Sequence, residues 1–126
     1  MTDNKLDNKM EEQMQNDFIQ WQKELQPFLD MSGYEPKTTF WTDFCIADRF
    51  GKDAIKDTYR RAFLEWQNNI EYLTELVMVL NWKCWQYAET KPLIAGLYQD
   101  LWEQADDWCG KNLKGDDLDY YIRTTD

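Results

Sequence analysis

Histidine is missing from this sequence, and Ser32 is its only serine. Without imidazole, Ser-His-Asp and Cys-His nucleophilic machinery is excluded, as are His-containing zinc sites and the Glu-x-x-His di-metal sites of ferritin-like bundles. General-base chemistry is left to carboxylates. No Gly-rich phosphate loop appears, and neither does a GxGxxG, GKS/T or HExxH pattern. The three cysteines, Cys45, Cys84 and Cys109, are odd in number and lack CxxC spacing. Each sits among apolar residues, which reads as small buried hydrophobes in a reducing compartment. Long apolar runs are also scarce. The longest purely aliphatic or Met stretch, Leu76 to Leu80, falls far short of the roughly 20 residues that span a bilayer. The opening MTDNKLDNKMEEQ is polar and acidic, unlike a signal peptide, so the expected location is the cytoplasm.

Positive charge is the other shortage: 14 Lys and Arg face 24 Asp and Glu, a formal net charge of −10. Nucleic-acid affinity comes mainly from cations neutralising phosphates, so direct nucleic-acid binding is disfavoured, and an anionic membrane surface equally so. The deficit has a location. Residues 1–31 carry −4, residues 32–69 balance to zero and residues 70–126 carry −6. With 43% hydrophobic residues, including seven Trp, seven Tyr and six Phe, the chain is no disordered acidic tail. Its 126 residues suffice for one compact domain.

Periodicity predicts an all-α helical bundle of five or six helices. Leu6, Met10, Met14, Phe18, Trp21, Leu25 and Phe28 recur at steps of three and four, giving a long amphipathic helix that ends near Pro27, with residues 1–16 prone to fray. MSGYEPKTTF reads as a loop. Thr39 is the expected N-cap of a short helix closed by Gly51. A third helix starts near Lys52 with Ile55, Tyr59, Ala62, Phe63 and Trp66 in one arc; Asn68 and Asn69 suggest its break, although the apolar pattern is also compatible with a helix that continues through them. Residues 70–88 form the most apolar helix, with Leu73, Val77, Leu80 and Cys84 on one face and Met78, Trp82 and Trp85 on the opposite one. A helix that is apolar nearly all round is expected to be central. Thr90 and Pro92 mark the next start, Leu93, Leu97, Leu101, Ala105 and Trp108 its buried face, and Gly110 its end. The tail, residues 116–126, is expected to add one or two helical turns capped by Asp116 or Asp117.

Three groupings are candidates for function. Asp100, Glu103 and Asp107 fall within about 60° on a helical wheel, with Asp106 nearby. Asp116, Asp117 and Asp119 extend the run. This face is either a solvated surface, an acidic surface that binds a basic partner, or an oxygen-only metal site. The last is poorly supported, since there is no EF-hand loop and no facing carboxylate-rich helix. No metal or cofactor is assigned. Lys52, Lys56 and Arg60 form a second stripe, but the interleaved Asp53 and Asp57 leave few charges for phosphate, and Asp57 is placed to pair with Arg61. Aromatics are the third. Most are core by periodicity, yet Trp41, Trp82 and Trp85 are candidate interface residues if they stay exposed. No two of the 24 carboxylates are singled out as a catalytic pair, and no catalytic residue is assigned.

FWTDFCIADRFGKDAIKDTYRRAF (residues 40–63) and the ending YYIRTTD (residues 120–126) resemble small acidic proteins encoded by phages and mobile elements of gut bacteria. The resemblance implies a context and no particular residue: such proteins are often inhibitors of host defence, including anti-CRISPR proteins, and some imitate DNA with carboxylates in place of phosphates. The expected function is therefore a non-enzymatic acidic protein that binds a basic protein surface, in its most specific form on a nucleic-acid-handling enzyme in the bacterial host cell. A homo-oligomeric structural or assembly protein with an aromatic interface is the alternative, and a carboxylate or Mg²⁺-dependent enzyme the remaining one.

Overall fold

The computed structural model describes residues 35–125, together with Ile19, Lys23 and Gln26, which are helical. The rest of the predicted first helix, including its apolar stripe and residues 1–16, lies outside the described residues, as does Asp126. Five helices are described in full: α1 Phe40–Phe50, α2 Lys52–Trp66, α3 Ile70–Tyr87, α4 Pro92–Asn112 and α5 Gly115–Thr125. No strand occurs among the described residues, and the fold is an all-α bundle.

Helix α3 touches each of the other four, the central position expected of an element apolar around its circumference. Leu73, Leu76, Val77, Val79 and Leu80 are all buried on it. Its start is set by Asn69, whose side-chain oxygen accepts the Tyr72 N–H at 3.2 Å and satisfies one of the donors a helix N-terminus leaves open. Gly51, at φ 101°, separates α1 from α2 in a backbone conformation that favours glycine.

Several details differ from the sequence expectation. Thr39 is the residue before α1, but its hydroxyl donates to the Asp43 carboxylate at 2.9 Å and makes no bond to a backbone N–H. Helix α4 runs through Gly110 to Asn112, because Gly110 keeps a negative φ. The Leu113 N–H then closes on the Cys109 carbonyl at 3.0 Å, while the Asn112 side chain donates to the Trp108 carbonyl at 2.8 Å. Helix α5 has 11 residues and begins at Gly115, with Asp116 and Asp117 in its first turn. It is longer than predicted because Tyr121 is buried and anchors it to α4.

The buried face of α4 is also rotated from the one expected. Leu93 is 75% exposed, and the core residues are Ala95, Tyr98, Leu101, Ala105 and Cys109. A pure i+4 series drifts by about 40° per step at 3.6 residues per turn, so the stripe from Leu93 to Ala105 turns by about 120°. Its first member has left the interface by the time its last is central.

Candidate protein-binding surface

On α4 the core face is turned inward by Leu101, Ala105 and Cys109, which leaves Asp100, Glu103 and Asp107 exposed together on the outer side. Glu103 accepts a weak bond from Gln99 at 3.3 Å, and Asp107 pairs with Lys111 at 2.9 Å. That pair is an exposed i,i+4 contact, worth a few tenths of a kcal/mol in general. Asp116, Asp117 and Asp119 are exposed on α5, just past the short connection at residues 113–114. Asp106 departs from the expected face. It is half-buried and accepts the hydroxyl of Tyr121, so it serves to hold α5 against α4. Burial first, and then the bond to Asp106, push the Tyr121 hydroxyl well above the ordinary phenol range, so it stays a donor.

The aromatic candidates separate. Trp41 and Trp82 are only 2% and 7% exposed, and their ring centroids lie 5.9 Å apart. They are core residues, so the condition for an interface, that they stay exposed, is not met for these two. Packing them together removes large apolar area from water, even though the buried Trp41 indole N–H has no acceptor among the described residues. Trp85 alone keeps an open ring, at 77% exposure.

Two buried polar networks had no place in the sequence reading. In the first, the fully buried Lys83 puts its Nζ 2.6 Å from Oδ2 of Asp48, a residue whose side chain is 10% exposed. The hydroxyl of Tyr87 donates to the same oxygen at 2.7 Å, and that of Tyr98 donates to Oδ1. The carboxylate of α1 is thus held by donors from both α3 and α4. Burial, followed by the Asp48 charge, drives the Tyr98 hydroxyl far above the usual phenol range. In the second, buried Glu75 of α3 accepts the Lys37 N–H at 2.7 Å and the Thr38 hydroxyl, while the Thr38 oxygen accepts the Phe40 N–H at 3.2 Å. The available signal was a charge inside an all-round apolar helix: such a residue is buried only if paired.

Neither Cys84 nor Cys109 offers a reactive thiolate. All three cysteines are free thiols. Burial pushes the Cys109 thiol up to about 12 and raises Cys84 as well, opposite to what a nucleophile or redox sensor needs. Among the described residues, no group of three Cys, Asp or Glu side chains is arranged to hold a metal ion, and no helix is long and apolar enough to cross a membrane. Comparison with protein-family models, curated proteins and solved structures finds no match.

Proposed function

We propose that the chain is a non-enzymatic protein-binding protein whose acidic α4–α5 face engages a basic protein surface. In its specific form it is an inhibitor of a nucleic-acid-handling enzyme of the bacterial host, carried by a phage or mobile element and acting in the cytoplasm by imitating DNA. The observation that carries this reading is the joint exposure of Asp100, Glu103 and Asp107 on one side of α4. At 1.5 Å per residue the three span roughly 10 Å of helix axis. One strand of duplex DNA advances about 3.4 Å per phosphate, or about three charges over the same length. Asp116, Asp117 and Asp119 add charge on α5. The likeness of residues 40–63 and 120–126 to small acidic phage proteins points the same way.

The test is displacement of fluorescent duplex DNA from a panel of purified bacterial nucleases. The intact chain is expected to displace DNA from at least one of them, less effectively as salt rises. Reversing Asp100, Glu103 and Asp107 to Lys lowers potency at least about tenfold, since like charges then meet across the interface. Reversing Glu35, Asp53 and Glu89, exposed acids outside α4 and α5, changes net charge equally and has a smaller effect. Displacement from none of the panel, or potency indifferent to the first reversal, removes the reading.

The openness of Trp85 favours one rival, self-association through an aromatic patch, because Trp is a common anchor at interfaces. On that reading the chain sediments as a dimer at micromolar concentration and Trp85→Ser returns it to monomer. Monomeric sedimentation of the unaltered chain eliminates it.

A further inference from the structure

Between α1 and α2 runs an open groove of about 560 Å³. Its floor is made of alanines: Ala47 and Ala62 are buried and Ala54 is half-buried, so no side chain of the described residues fills the space between the two helix axes. Ile46 and Phe50 form an apolar wall along α1, and Phe50 remains 62% exposed. Asp43, Asp57 and Glu65 also line it, against Arg61, the single lining cation among the described residues, which is engaged by Asp57 at 3.0 Å. The cations Lys52, Lys56 and Arg60 lie on the other flank of α2, on the far side of its core-facing arc. The groove is therefore acidic although residues 32–69 as a whole are neutral.

We propose that this groove receives an amphipathic helix of the protein partner, about three turns long, with an apolar ridge flanked by Lys and Arg. The inference rests on the protein-binding reading above and adds a second contact surface to it. Length follows from α1, whose 11 residues make a wall about 16 Å long. An apolar ridge at i, i+3 or i+4, and i+7 is the shape that fits a trough between two helices. Charge selects among occupants. A second copy carries −10 and this chain's own residues 1–31 carry −4, so both meet an acidic trough with like charge. A basic helix meets it with opposite charge.

The probe is a synthetic Leu/Lys amphipathic peptide of about 18 residues, long enough to hold a helix, compared with its Leu/Glu counterpart. Titrated into the full chain, the Lys peptide is expected to shift the amide NMR signals of Ile46, Phe50, Ala54 and Arg61. Phe50→Ser weakens binding about tenfold, as loss of an aromatic anchor does. Ala54→Leu, which fills the floor, has a comparable effect, and Glu65→Lys a several-fold one; unchanged circular dichroism and thermal unfolding show that each variant is folded. The Asp100, Glu103 and Asp107 reversal leaves these groove shifts in place, which separates this inference from the proposed function. Equal binding of the Glu peptide overturns it, as do shifts confined to α4 and α5 or affinity untouched by Phe50→Ser and Ala54→Leu. Nuclear Overhauser contacts from the Ile46 methyls to Met10 or Met14 assign the groove to this chain's own first segment instead. A dimer disrupted by Phe50→Ser assigns it to a second copy. Either result overturns the proposal.

Discussion

Asp48→Ala is expected to lower the unfolding free energy by about 3–5 kcal/mol, the usual cost of removing one partner from a buried ion pair. The Lys83 ammonium loses a carboxylate 2.6 Å away, and the hydroxyls of Tyr87 and Tyr98 lose the acceptor that joins α1 to α3 and α4. The penalty comes from charge and donors left inside, more than from the strength of the pair itself. A double variant, Asp48→Leu with Lys83→Met, therefore recovers a large part of the loss, since apolar residues of similar size often replace a buried pair at little cost. Urea unfolding measures both. A change below about 1 kcal/mol in Asp48→Ala would show that water reaches this site and screens it.

The helical class and most boundaries were legible because apolar spacing and punctuation agree: the Asn68–Asn69 break, Gly51 between α1 and α2, and Pro92 at the start of α4 each fall where the backbone needs them. What periodicity could not supply was which of two apolar faces wins. Trp82 lies opposite Leu73 and Val77 on the wheel of α3, yet all are buried, because the helix is covered from several sides. The drift of the α4 stripe is the converse case, in which Leu93 matches the pattern and lies outside the core. Of the acidic candidates, Asp100, Glu103, Asp107, Asp116, Asp117 and Asp119 are exposed as a binding face requires, whereas Asp106 holds Tyr121. Helical spacing cannot report a bond to a residue 15 positions away on another helix.

Glu75→Ala is expected to lower stability by about 2–3 kcal/mol, from the loss of the two hydrogen bonds that its buried side chain accepts. Its effect is also local. Glu75 holds the Lys37 N–H and the Thr38 hydroxyl, and Thr38 in turn holds the Phe40 N–H, so one side chain of α3 positions the entry to α1. The nearby Lys37–Glu71 contact, at 3.6 Å and well exposed, adds little. Hydrogen exchange should therefore accelerate most at Lys37 and Phe40, and much less in the middle of α4. Glu75→Gln, which keeps an acceptor but no charge, should fall between Ala and the unaltered chain. A stability change within about 0.5 kcal/mol, the range of an ordinary surface substitution, would contradict this role. Because α1 forms one wall of the α2 groove and takes no part in the α4–α5 face, Glu75→Ala should weaken the basic peptide while sparing DNA displacement by the acidic face. A variant that weakens both equally would mean that the two surfaces fail together, through global unfolding rather than through α1.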